Sequence, residues 1–140
     1  MRCIAAISAS VLILTGCAGG NAGAPAPKMD TVNGSMAILD TTSFISTGGD
    51  TTVTSGPCMT LPPFDDIQPG ATVVISDDAG KTLTITTLGN GAFDQDGYCL
   101  FPFTATVPAG RGFYGVAVAQ RGTVKEPEAH LRDVRLILGQ

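Results

Sequence analysis

The residues able to do chemistry are few: one histidine, four cysteines and twelve acids in a chain of 140 residues. His130 would have to be the base of any Ser-His-Asp or Cys-His arrangement. The first kind also needs an activated serine beside it, and the chain has no Gly-x-Ser-x-Gly turn to display one. The second would pair His130 with Cys58 as nucleophile, which requires Cys58 to be free. The acids come in pairs, Asp65-Asp66, Asp77-Asp78 and Asp94-x-Asp96. Two carboxylates at the right separation can run glycoside hydrolysis, but the chain has no Trp to form a sugar platform. Asp94-Gln95-Asp96-Gly97 matches part of a calcium loop and lacks its third Asp and its distal Glu. All three pairs fall where turns are expected, and aspartate in a turn commonly bonds its own backbone. Met29, Met36 and the Cys58-Met59 step would suit a soft metal, although Met in a β core usually fills space. Gly89-Asn90-Gly91 reads as a turn, and Arg111 and Arg121 read as surface charges flanking Tyr114. The residues thus give no catalytic group, no metal site and no cofactor.

The start of the chain carries a different kind of chemistry. Met1-Arg2-Cys3 is followed by an apolar run of 11 residues, Ile4 to Leu14, and then by Thr15-Gly16-Cys17. A positive residue, a short apolar run and small residues at a cut form a secretory signal, and the run is shorter than the ~20 residues that span a bilayer core. Leu14-Thr15-Gly16-Cys17 resembles a bacterial lipobox. That resemblance implies lipid on the Cys17 thiol, cleavage before Cys17 and acylation of the new amino terminus. Each buried methylene contributes ~0.8 kcal/mol, and stable anchoring takes more than one chain. The expected divisions are signal peptide 1–16, lipidated Cys17 with a flexible linker 17–33, and a folded domain 34–140. The location expected is the extracytoplasmic face of the cell membrane.

Cleavage would leave 124 residues with seven Lys and Arg against twelve Asp and Glu, a formal charge of −5. Such an acidic chain, pI ≈ 4.6, is a poor ligand for nucleic acid or for anionic headgroups. Cys3 would leave with the signal and Cys17 would take the lipid. Cys58 and Cys99 would remain on an oxidising side, where one disulfide between them is the natural inference. A metal site and a reactive thiol pair are the competing readings.

The elements that must position these residues are strands. Ala18 to Asp30 is rich in Gly, Pro and Ala and reads as a linker reaching ~40 Å when extended. Met36 and Ile38 alternate with Ala37 and Leu39. Thr41 to Gly56 is rich in Thr, Ser and Gly, with Phe44-Ile45 as an apolar island. Val73-Val74-Ile75 and Lys81–Leu88, joined by an Asp/Gly loop, read as a hairpin. Cys99, Phe101, Phe103, Ala105 and Val107 share one face by period two, and Pro102 on the other face predicts an edge or a bulge. Tyr114, Val116 and Val118 share a face, as do Val134, Leu136 and Leu138. Between them, Glu126–Arg132 predicts one helical turn with Pro127 first and Glu128 meeting Arg132. The pattern predicts an all-β, Ig-like antiparallel β-sandwich of about seven strands with one disulfide. A small β-barrel is the alternative.

Several stretches are familiar together: Asp66–Ile75, Asp77–Leu83, Cys99–Pro108 and Phe113–Gly122, with Cys58 before them. They are similar to small actinobacterial envelope lipoproteins, mycobacterial ones among them, and to lipoproteins encoded by phages of those hosts. The similarity covers roughly residues 55–125 and the signal. It implies the Cys58–Cys99 pairing and the Ig-like sandwich. The family has no assigned activity, so it transfers no catalytic residue. Pro62-Pro63-Phe64 stands where a Gly-rich stretch is expected. The function expected is a lipid-anchored, non-enzymatic binding module for an envelope protein, through the Pro102 strand or the Thr41–Ser55 loop. A phage-encoded version would exclude a second phage. The alternatives are an envelope hydrolase using Asp94 and Asp96, and a purely structural envelope protein.

Overall fold

The computed structural model describes residues 23–139; the signal run and Cys17 lie outside them. Gly23–Lys28 is exposed coil, and β1 (Met29–Ile38) begins directly after it. The folded domain thus starts at Met29, five residues before the boundary expected from the sequence. The linker's breakers end at Pro27, and Thr31 and Val32 suit a strand. β1 pairs along its whole length with β7 (Cys99–Pro108), from Met29 opposite Pro108 to Ile38 opposite Cys99. On its other side it takes β10 (Val134–Leu138) in parallel. β6 (Ala92–Phe93) completes a first sheet, ordered β10-β1-β7-β6.

The second sheet is β5-β4-β8-β9, with β4 (Thr72–Asp77), β5 (Thr82–Thr87), β8 (Phe113–Val118) and β9 (Val124–Pro127). A small antiparallel pair, β2 (Phe44–Ser46) and β3 (Cys58–Thr60), sits at one end. The two larger sheets enclose one core. Val32, Met36, Ile38, Phe101, Phe103, Val107, Val134 and Leu136 come from the first sheet, and Val73, Ile75, Tyr114, Val116 and Val118 from the second. The protein is an all-β sandwich, with no sheet among the described residues closed into a barrel. Among the described residues there are ten strands, because the short β2, β3 and β6 lie in stretches without period-two apolar content, and the β1–β10 pair is parallel.

The predicted faces hold. Cys99, Phe101, Phe103 and Val107 are buried along β7, each large apolar side chain contributing ~1.5–3 kcal/mol on burial. Gly34 lies under the Phe103 ring: a Cβ there would stand 2.3 Å from the ring's Cζ. Cys58 and Cys99 form the disulfide, with their Cα atoms 5.9 Å apart, and tie β3 to β7. Phe44 and Phe93 meet edge to face at 5.8 Å between centroids and add an apolar contact between the same parts.

Two details bear on the sequence pattern, the first in line with it and the second against it. β7 has β1 along its whole length on one side but β6 only opposite Cys99 and Leu100 on the other, so at Pro102 it is an edge of the ladder, as the proline predicts, although β6 makes it an inner strand at its start. Pro102 faces the side where short β6 has ended, and there its carbonyl accepts the Gly89 N–H at 2.7 Å. In an antiparallel strand a residue's N–H and C=O point the same way, so the donor that proline lacks is missing where no ladder runs. In β5, a register shift beside Ile75 and Ser76 turns Ile85 outward, 63% exposed. Thr86 faces inward, and its hydroxyl donates to the Thr104 carbonyl at 3.0 Å.

Candidate functional site

The acids that could have done chemistry organise turns. Asp94 Oδ1 accepts the N–H groups of Asp96 and Tyr98, both at 2.9 Å, and Oδ2 takes Arg135 Nη2 at 3.1 Å. Arg135 comes from β10, 41 residues further along the chain. Asp77, buried, accepts Lys81 N–H at 2.8 Å and Ala79 N–H at 3.1 Å, closing the β4–β5 turn. Asp40 takes the hydroxyls of Thr42 and Ser43, each at 2.7 Å, and these bonds hold its carboxyl below the usual carboxylate range. Asp50 does the same with Thr52, inside the Thr-rich loop. Asp65, Asp78 and Asp96, the other members of the three pairs, are exposed.

His130 ends a single 3-10 turn, Glu128–His130, with Pro127 as its N-cap. Its Nδ1 lies 4.0 Å from Glu126 Oε2 and its side chain is largely exposed. Glu128 does not meet Arg132. Its carboxylate bonds the N–H groups of Gly110, at 2.9 Å, and Gly112, at 3.2 Å, because the one turn is too short to bring a residue four along to its side. Cys58 is in the disulfide, so the Cys-His arrangement does not form. Met36 is buried, and Met29 and Met59 are exposed at opposite ends of the sandwich, so the methionines do not gather. No group of three or more His, Cys, Asp or Glu among the described residues could hold a metal.

What the structure does assemble is a groove at the disulfide end. Its spine is the segment from Leu61 to Ala71, whose turns are closed by Phe64 N–H to Leu61 O and Ile67 N–H to Phe64 O. Ile67 is fully buried, and its carbonyl takes the Thr60 hydroxyl at 2.6 Å. Arg121 pins the segment from outside. Its Nε donates to Asp66 Oδ2 at 2.9 Å, its Nη2 bonds Asp66 Oδ1, and Nη2 also reaches the Pro63 carbonyl at 3.0 Å. The guanidinium lies 5.3 Å from the centre of the Phe64 ring, a cation–π distance. Held this way, the Asp66 carboxyl lies below the ordinary range, chiefly through the Arg121 hydrogen bonds. Ala119, at φ +50°, adopts the left-handed conformation that turns the chain toward Arg121.

Beside this pin lies an open depression of ≈ 820 Å³, walled by Asp65, Gln68, Pro69, Gln120 and Arg121. Pro69 also walls a second depression of ≈ 430 Å³ toward Pro57, Asn90 and Ala92, and a small third one beside Met59 and Phe101. The three depressions share Pro69 as a common wall, the first and third share Asp65 and Gln68 as well, and together they make up the groove. Sequence reasoning located neither the groove nor the Asp66–Arg121 pair, whose members are 55 residues apart. The Pro62-Pro63-Phe64 departure was the one local signal: those residues supply the ring and the carbonyl that Arg121 grips. Of the two contact surfaces expected, the Thr41–Ser55 loop flanks the groove through Thr47, which lines it just beyond β2. The Pro102 strand is taken up by β1 and by Gly89.

The groove lies far from the linker. Lys28, the last linker residue, bonds Ala109 N–H at the end of β7, whereas Cys99 and the groove stand at its beginning. Ten residues of strand separate them, roughly 30 Å at ~3.3 Å per residue. No protein family, no curated protein and no solved structure matches the chain. No helix among the described residues is long and apolar enough to cross a membrane.

Proposed function

We propose that this chain is an exported, lipid-anchored binding module that holds an envelope protein through the groove at its disulfide end. The observation that supports the reading is placement. The linker from Cys17 joins one end of the sandwich, and the groove opens at the other, roughly 30 Å further out along a ten-residue strand. A partner bound there is held close to the membrane at high effective concentration. The use of Asp77 and Asp94 in turns, with Asp94 also gripped by Arg135, favours binding over acid–base chemistry, since a general acid or base needs a free carboxyl near its substrate.

In-cell photo-crosslinking tests it, with the reactive side chain at Gln68 in the groove, at Ile85 on the outer sheet face, and at Gln68 in a Cys17→Ala chain. The expected result is one envelope protein captured from Gln68 of the anchored chain and lost from the other two. Equal capture at Gln68 and Ile85, or capture indifferent to Cys17→Ala, would overturn the reading.

A further inference from the structure

The charge of this domain is unevenly placed. Twelve acids and seven Lys and Arg lie among the described residues. Six of the acids stand at the groove end: Asp40 just past β1, Asp50 between β2 and β3, Asp65 and Asp66 on the groove spine, and Asp94 and Asp96 between β6 and β7. Two guanidinium groups reach that end, and both are taken, Arg121 by Asp66 and Arg135 by Asp94. The other six acids share the rest of the sandwich with five Lys and Arg. Most of the excess negative charge of the described residues therefore surrounds the groove. The hydroxyls on Asp40 and Asp50, and Arg121 on Asp66, hold three of these carboxyls below the ordinary range.

The walls of the groove match that charge. Asp65, Gln68 and Gln120, all exposed, line the first depression and offer carboxylate and amide oxygens to a donor. The one cation in the wall, Arg121, has its charge met by Asp66 and also donates to the Pro63 carbonyl. Between the polar groups the lining is apolar. Pro63 and Pro69 belong to the first depression, and Pro57, Pro69 and Ala92 to the second. Lys and Arg side chains combine the same two characters, an apolar stem that lies along such surface and a charged head that needs acceptors. At ≈ 820 Å³ the first depression falls within the ~300–1,000 Å³ of ordinary ligand pockets, a space for a short segment of chain and not for a flat protein face.

We propose that the groove takes a cationic segment of its partner, with Lys or Arg heads against Asp65, Gln68 and Gln120 and their stems along Pro63 and Pro69. The inference rests on the binding-module reading above and names the chemistry of what is bound. Complementary charge of this kind speeds encounter and turns away acidic segments.

The test uses the full lipidated chain in nanodiscs of phosphatidylcholine, whose headgroup has no net charge, with fluorescent hexalysine and hexaglutamate as probes. Two double variants remove the same charge from different places. Asp65→Asn with Asp96→Asn acts at the groove end, and Asp78→Asn with Asp133→Asn acts on exposed acids elsewhere. Hexalysine should bind and hexaglutamate should not. The first pair should weaken hexalysine by about three- to tenfold, as two solvent-exposed charge contacts would, and the second pair by clearly less. Equal weakening by the two pairs would reduce the effect to net charge and overturn the inference, as would no binding of hexalysine. The photo-crosslink from Gln68 separates this inference from the reading beneath it. The captured segment of the partner should be rich in Lys and Arg. A neutral or acidic captured segment would overturn the cationic segment and leave the binding module standing; no capture from Gln68 would overturn both.

Discussion

The two ends of this sandwich are held by different means. At the linker end, β1, β4, β7 and β8 are regular, and the turns joining them are closed by one carboxylate each, Asp77 for β4–β5 and Glu128 for β7–β8. At the disulfide end the strands are short or absent. Order there comes from a covalent bond, from the Arg121 clamp on Asp66 and Pro63, and from serine and threonine hydroxyls on Asp40 and Asp50. A ladder orders a strand because each residue repeats the same bonds. A loop has no repeat and must be tied point by point, and it can take a concave shape that a ladder cannot. The groove lies where the regular structure stops, as binding surfaces commonly do on rigid scaffolds.

The comparison is broken most severely at the covalent tie. Cys58→Ser with Cys99→Ser opens a loop with a sequence separation of 41, which the chain-entropy relation values at about 4 kcal/mol. Denaturant unfolding should show that loss in the midpoint, and the groove residues should lose order before the core strands. Next is Gly91→Ala. A Cβ there would stand 2.6 Å from the Cys58 carbonyl oxygen and 2.7 Å from the Phe101 ring. Neither neighbour can withdraw, since both are part of the buried junction. We expect about 1–3 kcal/mol of destabilisation, the usual range for overpacking, read by thermal melting. A stable Gly91→Ala would mean that the junction is looser than its packing implies.

The difference between the ends also explains what was legible in the sequence. Period-two faces on β7, β8 and β10 could be read directly, because Phe101, Phe103, Tyr114, Val116, Val134 and Leu136 all point into the same core. The disulfide follows from counting cysteines once Cys3 and Cys17 are set aside on the expectation of a lipoprotein signal. The strand order did not follow, since nothing local in Val134–Leu138 says that it runs parallel to β1. Ile85 and Thr86 show how one register shift exchanges the faces of an alternating strand. The candidate site was the least legible part. Asp66 and Arg121 are far apart in the chain, and each alone looks like an ordinary turn charge. Only the fold brings Arg121 onto Phe64.

Arg121→Ala should cost less than the two changes above. Both side chains are about a third exposed, and pairs open to solvent typically contribute ~1 kcal/mol or less. The effect should be local: the Ile67 amide, bonded to the Phe64 carbonyl, should exchange faster with solvent while the β7 amides stay protected. The same contact gives a pH dependence. The folded Asp66 has a lowered pKa, so its contribution is present above the ordinary value of 3.8 and is lost as pH falls through the lower folded value. An Arg121→Ala variant should lack that part of the acid dependence.

The smallest effect expected is at the other end, and it decides between two partners for one carboxylate. The sequence spacing put Glu128 against Arg132, and the structure puts it on the backbone of Gly110 and Gly112. Those backbone bonds, Gly110 first, lower its pKa below the ordinary 4.5. The sign follows: what Glu128 adds to the β7–β8 turn is present above 4.5 and is lost as pH falls through the lower folded value. In an NMR titration, the Gly110 and Gly112 amide signals should therefore move together with one midpoint below 4.5. Arg132→Ala should leave that midpoint where it is. A rise on Arg132→Ala would return Glu128 to its helical partner and leave the β7–β8 turn without its tie, and with it the stiffness that distinguishes the linker end from the groove.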